Sequence, residues 1–188
     1  VLMKMSVEPA PYKPGRDRPY PARRPMRILM VVGSLEHGGA ERHTICLLNR
    51  LAERGHECHA AFIKNRRDQI DRVRLRDDAA LQCLDARRFF DSDAVTRLSD
   101  MMSRTRPDVV VAANEHALIY AALALRRSRA RAAMVVTYHA TKLLGLKEYL
   151  KMLACLPLFW RADCTVFVCN NQRRRWLRRG VFSRRNVV

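Results

Sequence analysis

An apolar run that leaves through glycines and continues into a helical pattern leaves few choices of fold. Ile28-Leu-Met-Val-Val32 leads directly into Gly33-Ser-Leu-Glu-His-Gly-Gly-Ala-Glu-Arg42. Residues 40–54 then place Thr44, Leu47, Leu48, Leu51 and Ala52 at three- and four-residue spacing, with Gly55 as the stop. The reading is strand, glycine loop, helix. Glycines let backbone N–H groups come close to a ligand, and the first turn of a helix adds unpaired donors and a dipole that favours negative charge. The natural guest of such a turn is an anion, most simply a phosphate.

The same alternation continues along the chain. Short β-rich runs predict strands at 27–33, 57–63, 81–84, 108–113, 132–138 and 164–169, and the intervals predict helices at 40–54, 66–76, 93–104, 115–127, 143–160 and 171–179. Val109-Val-Val-Ala-Ala113 and Met134-Val-Val-Thr137 are apolar or nearly so throughout, as strands covered on both faces must be. The helix at 93–104 should stop before Arg106-Pro107, because the residue preceding proline avoids the α region. The expected class is α/β, a Rossmann-like three-layer domain with a mostly parallel sheet. Ligands of such sheets collect at the carboxyl ends of the strands, so the loops after residues 33, 113 and 138 should share one site.

At 188 residues, 48% of them apolar, the chain is long and greasy enough for one domain with a real core. Residues 1–25 stand apart: they hold six of the eight prolines and read as an extended, mobile Pro/Arg-rich arm, leaving 26–188 as the folded unit. The arm has no apolar stretch of the kind a secretory signal needs. Six cysteines without a CxxC pair read as reduced thiols in a cytoplasmic protein. His56-Glu-Cys-His59 hints at a metal, but a strand sends alternate residues to opposite faces and no second ligand pair has matching spacing, so no metal is expected.

The net charge of +18 is concentrated. Residues 1–25 carry six Lys/Arg against two acids, residues 121–131 four Arg and no acid, and residues 170–188 seven Arg and no acid. Such clusters suit nucleic acid, anionic headgroups or phosphorylated substrates, and equally a solvated surface with no partner. The arginine run at 173–179 has only Trp176 as an aromatic and no stacking platform, so specific nucleic-acid recognition is not expected.

Three loop ends supply candidate site residues. Gly38, Gly39 and Glu41 follow the first strand; the loop is neither GxGxxG nor a Walker sequence, which argues against NAD binding and ATP hydrolysis. Asn114, Glu115 and His116 follow the fourth strand. Thr137-Tyr-His-Ala-Thr141 puts His139 and Thr141 where the chain leaves the fifth, with an imidazole able to bond a sugar hydroxyl or simply to cap the next helix.

Met26 to Arg42, followed by Leu51-Ala-Glu-Arg-Gly-His56, resembles the opening of GT-B glycosyltransferases of the retaining family four. Arg106-Pro-Asp108, Thr137-Tyr-His139 and Arg161-Ala-Asp163 before Val166-Phe-Val-Cys169 fall in the family's order, so the resemblance spans residues 26–188. It implies the acceptor-side half of an enzyme that moves a sugar from a nucleotide sugar to a glycan or lipid-linked acceptor with retention. It places Gly38 and Gly39 near the donor diphosphate or acceptor and His139 near the transferred sugar as the catalytic candidate; Glu41, Asn114 and Thr141 are substrate-binding candidates from their places at the strand ends, and Glu41 equally suits the positive end of its own helix. Neither a metal nor another cofactor is implied. The family's donor-binding domain, with its paired glutamates, is not in these 188 residues, so the chain alone is expected to be inactive, either as the first half of a truncated enzyme or as a partner of a separate polypeptide that supplies the donor half.

Many members use membrane-bound acceptors, and the segment from Leu143 to Trp160 is broken by Lys147, Glu148, Lys151 and Pro157, too polar for a simple span. Lys147 and Lys151 beside Leu143, Leu144, Leu146, Leu150 and Leu153 suit a helix lying on an anionic membrane, which would put the protein peripherally on the inner face. The alternatives are that these leucines pack on the sheet, or that the chain is a non-catalytic docking subunit of a split enzyme.

Overall fold

The computed structural model describes residues 24–75, 77–140 and 145–188. Seven strands form one sheet: β1 (Arg27–Val32), β2 (Glu57–Phe62), β3 (Leu81–Cys83), β4 (Val109–Ala113), β5 (Ala133–Tyr138), β6 (Cys164–Phe167) and β7 (Arg185–Val187). Their order is β3-β2-β1-β4-β5-β6-β7, and every pairing is parallel. Five helices among the described residues connect them: α1 (Gly39–Glu53), α2 (Ser92–Thr105), α3 (Asn114–Ser128), α4 (Leu146–Arg161) and α5 (Asn170–Leu177).

Strand alternation decides which helix covers which face. In β1, Ile28 and Met30 pack with Leu48 of α1, while Leu29 and Val31 turn to the opposite side and join Leu98, Leu118 and Phe159 of α2, α3 and α4. β4 repeats the division, with Val111 toward α1 and Val110 and Ala112 toward the larger core. Both faces of the central strands are therefore buried, as their unbroken apolar runs require. Each fully enclosed side chain of the size of Leu29 or Leu48 contributes about 1.5–3 kcal/mol.

Two departures have local causes. The helix expected at 66–76 is not formed: Ile70–Arg72 makes a single 3₁₀ turn, followed by a second at Asp78–Ala80. Tertiary partners take the backbone groups that a helix would use. Gln69 N–H donates to Leu35 O at 2.9 Å, Asn49 Nδ2 donates to Arg72 O at 2.8 Å, and Asn49 Oδ1 accepts from Arg74 N at 2.9 Å. Ile70 and Val73 meanwhile pack beneath Val32 and Phe62. The second departure is β7, a three-residue edge strand in a run whose arginines hid its pairing with β6.

The amino-terminal edge of the sheet is tied by two aspartates with the same task. Asp108, one residue before β4, accepts the Arg27 backbone N–H of β1 at 2.9 Å and pairs with the Arg27 guanidinium at 3.0 Å. Asp163, one residue before β6, accepts Met134 N–H of β5 at 2.9 Å and pairs with Arg184 at 3.1 Å. Each carboxylate fixes the register at which two neighbouring strands begin. The Arg27 side chain, and then its backbone N–H, push the Asp108 carboxyl down to about 2.

Candidate functional site

β1 connects to β2 on one side while β4 connects to β5 on the other, so the strand order reverses between β1 and β4. The crevice outside the carboxyl ends of these two strands is the place where open parallel sheets bind ligands. α1 begins there. Its N-cap, Gly38, is extended (φ −153°, ψ 161°) and supplies no side-chain cap, so the first-turn N–H groups have no side-chain acceptor capping them. Gly39 is exposed with no heavy atom within 4 Å of where a Cβ would stand, whereas a Cβ on Gly38 would run into the Glu41 carboxylate. Glu41 thus leans back over the start of its own helix, where the dipole favours its charge.

The glycine loop is braced from β2. Gly33 O accepts from Lys64 N at 2.9 Å, Leu35 N donates to Arg66 O at 2.9 Å, and Glu36 pairs with Arg66 while accepting Ser34 Oγ–H at 2.9 Å. Arg66, then Ser34, hold the Glu36 carboxyl below its ordinary range. The loop accordingly enters α1 on a fixed path.

His139 is brought to the same crevice from β5. Its backbone N–H donates to Asn114 Oδ1 at 2.8 Å, and Asn114 itself takes a left-handed conformation (φ 66°) that asparagine tolerates better than most residues. The His139 ring meets His43 of α1 edge-on at 4.9 Å between centroids. Burial lowers the imidazole's affinity for a proton, and the nearby His43 adds to the effect, so His139 is a neutral ring near pH 7. Its Nε2 is shielded from solvent and has no hydrogen-bond partner among the described residues, as is Glu115 Oε2 at the start of α3.

The structure therefore brings Gly38, Gly39, Glu41, Asn114 and His139 to one rim. Thr141 lies outside the described residues, as do the Lys147 side chain, Leu143, Leu144 and residues 1–23 of the expected arm. Lys151 stands near the rim, its ammonium 4.6 Å from the centre of the Phe89 ring, and Phe89 stacks on His116 at 4.6 Å. His116 Nε2–H donates to Phe89 O at 2.8 Å, and burial lowers the proton affinity of its ring. His56 and His59 do not converge: His56 Nδ1 accepts Met26 N–H, and His59 Nε2 lies 3.1 Å from Glu57 Oε1.

Two residues that position the site were read only as parts of an arginine-rich helix. Gln172 is buried at the start of α5; its amide donates to the carbonyls of Tyr138 and Ala140 at 3.0 Å each, and its Oε1 accepts Val168 N–H at 2.7 Å. Trp176 Nε1–H donates to Ala140 O at 2.8 Å, with its ring against Tyr138. Together they hold both sides of His139. An apolar Trp one turn after a Gln in a helix otherwise charged was the available signal.

The leucines of α4 divide. Met152, Cys155 and Phe159 are buried and Leu156 packs against the same core, as the packing expectation has it, but Leu146, Tyr149, Leu150, Leu153 and Trp160 are exposed, which corrects that expectation for Leu146, Leu150, Leu153 and Trp160. No described helix is long and apolar enough to cross a membrane.

A parallel α/β sheet with an open helix start at its switch point has the Rossmann-like architecture. The profile of Glycosyltransferase Family 4 matches residues 37–188, and the chain belongs to that family. Similar solved structures include HepE from Anabaena in complex with UDP and glucose (TM-score 0.62, 16% identity, 87% of this chain and 44% of that one). They also include the apo lipopolysaccharide outer core galactosyltransferase WaaB (0.61, 15%, 83% and 43%). A UDP-N-acetylglucosamine 2-epimerase from Rickettsia bellii is as similar in fold (0.61, 12%, 86% and 44%). These likenesses give the fold, one Rossmann-like half of a GT-B architecture, and the chain spans less than half the length of each neighbour. No curated protein matches in sequence.

Proposed function

We propose that this chain forms the acceptor-side half of a glycosyltransferase that moves a sugar from a nucleotide-sugar donor to a glycan or lipid-linked acceptor with retention, acting together with a donor-binding half. The observation that carries the reading is the uncapped start of α1 at the β1–β4 switch point, within reach of a neutral His139 through the His43 contact. The open N–H groups suit a diphosphate, and binding it requires Glu41 to swing off Gly38. The Nε2 of His139 has no hydrogen-bond partner among the described residues and would be satisfied by a hydroxyl of the sugar. Asn114, Gln172 and Trp176 position that imidazole, and Thr141 belongs to the same loop. Charge stabilisation and positioning of this kind need no metal.

UDP-glucose titrated into the ¹⁵N-labelled chain is expected to shift the amides of Gly38 to Arg42 and of His139, and Gly39→Val is expected to abolish those shifts without loss of fold, because the position is open. Shifts that spare α1 and His139, or that survive in Gly39→Val, contradict the reading.

A second reading is favoured by the exposed side of α4. Leu146, Tyr149, Leu150 and Leu153 beside Lys151 suit peripheral binding to an anionic membrane on its inner face, whether in the service of a lipid-linked acceptor or as a docking subunit. Leu150→Ser/Leu153→Ser should reduce co-sedimentation with phosphatidylglycerol vesicles while leaving UDP-glucose shifts in place; equal sedimentation of parent and variant removes this reading.

A further inference from the structure

The basic segment at 121–131 is left without a task by the site on the carboxyl edge. It lies at the opposite edge of the sheet, where α2 and α3 both end. There Arg27, Arg106, Arg129 and Arg131, with Ser103 and Ser128, surround a cavity of about 400 Å³. Arg27 enters it already paired with Asp108. Arg106, Arg129 and Arg131 are exposed and form no ion pair or side-chain hydrogen bond among the described residues.

Two bland explanations are available, and the geometry speaks against both. Cations at helix C-termini can cap the last carbonyls, yet no guanidinium of these three bonds a carbonyl among the described residues; the end of α2 is closed by the backbone instead, Arg106 N–H donating to Met102 O at 2.9 Å. A solvated arginine surface would also leave the backbone at ease. Here Arg106 (φ 44°) and Arg129 (φ 54°) occupy the left-handed position that follows each helix, where glycine or asparagine fits without the Cβ penalty. Both helix ends that border the cavity keep a guanidinium in a conformation unfavourable to arginine.

We infer that this cavity on the amino-terminal edge binds a phosphate-bearing anion carrying about two or more negative charges, either a free diphosphate group or the phosphomonoester headgroup of a lipid. Guanidinium forks match phosphate oxygens two at a time, and three unpaired forks around one hollow call for more charge than a single carboxylate brings. The volume admits a headgroup or a diphosphate. This inference stands independently of the sugar-transfer reading, since it uses none of the same residues.

The test is Arg106→Gly/Arg129→Gly, which removes both guanidinia and relieves both left-handed positions, so the variant keeps its fold and its thermal midpoint rises. Because the start of α1 also attracts phosphate, binding is measured in a Gly39→Val background. Calorimetric titration with inorganic pyrophosphate is expected to show affinity falling at least about tenfold in the glycine pair, the loss of a charge-assisted bond, and unchanged in an Arg174→Ser/Arg178→Ser control of equal charge. If pyrophosphate affinity falls in this way, the source is a free phosphate compound. If instead co-sedimentation with phosphatidylcholine–phosphatidic acid vesicles is lost in the glycine pair and kept in the control, the source is a phosphomonoester lipid headgroup. Equal weakening by the control, a glycine pair that binds both probes as the parent does, or no binding of either probe by the parent each overturns the inference.

Discussion

The two edges of this sheet are built on opposite principles. At the amino-terminal edge, Asp108 bonds the first N–H of β1 and Asp163 the second N–H of β5, and each pairs with an arginine, so strand starts are locked. At the carboxyl edge, α1 has no side-chain cap and His139 Nε2 and Glu115 Oε2 go without partners among the described residues. Buried polar groups left unpaired cost stability, and proteins keep them where a ligand completes them. The strand starts at the amino-terminal edge are satisfied by side chains of the fold itself, whereas the groups gathered around the start of α1 at the carboxyl edge are not, among the described residues.

The contrast can be broken most forcefully through Trp176, which is buried and anchors the His139 loop from α5. Trp176→Ala should cost about 3–5 kcal/mol in urea unfolding, through the cavity and the loss of one of the two hydrogen bonds to the Ala140 carbonyl. Gln172→Leu keeps the volume but removes the side-chain partners of Val168 N–H and the Tyr138 carbonyl, leaving Ala140 O to Trp176 alone; about 2 kcal/mol is expected, with the Asn114–His139 bond loosened in amide hydrogen exchange. If Gln172→Leu were neutral, the loop would not depend on α5. Asp163→Ala should cost about 1 kcal/mol and leave UDP-glucose shifts unchanged, because it acts at the scaffold edge.

Two pH effects of smaller size sharpen the same comparison. Asp108 has a folded-state pKa depressed to about 2 from an ordinary 3.8, so its contribution is fully present above pH 4 and is lost as pH falls through the folded value. The parent should lose its advantage over Asp108→Asn between about pH 4 and 2, read from urea midpoints. His139 works by the same rule from the cationic side. Its pKa is lowered from 6.5 by burial, so above that value folded and unfolded states are both neutral, and below it the unfolded state takes up the proton first. Parent stability relative to His139→Gln should therefore decline as pH drops below about 6.5. A rise instead would mean that His139 is charged in the fold.

Much of this architecture was legible because period-2 and period-3.6 patterns have few solutions: six strands and the helices at α1 to α5 lie within a few residues of their expected bounds. What was not legible depended on partners distant in sequence. Nothing in residues 66–76 announces that Asn49 will take the backbone of Arg72 and Arg74 and leave only a 3₁₀ turn. The arginines of 184 and 185 concealed an edge strand, since a strand with one open side can carry charge. At the site, the glycine loop and the loop ends bearing Asn114 and His139 could be placed from strand ends alone. His43, Gln172 and Trp176 could not, because each reaches the site through a contact across elements. The leucines of α4 show the limit most plainly: spacing gives an amphipathic helix, but the packing of Met152, Cys155 and Phe159 decides which side is covered.

The central claim is that the open start of α1 and the imidazole of His139 belong to one ligand site. Titrating UDP-glucose into the ¹⁵N-labelled parent and into His139→Ala tests it most directly. The account predicts that α1 and His139 amides shift together with one saturation curve in the parent, and that His139→Ala weakens the α1 response as well. Independent curves, or an α1 response untouched by the loss of His139, would contradict it.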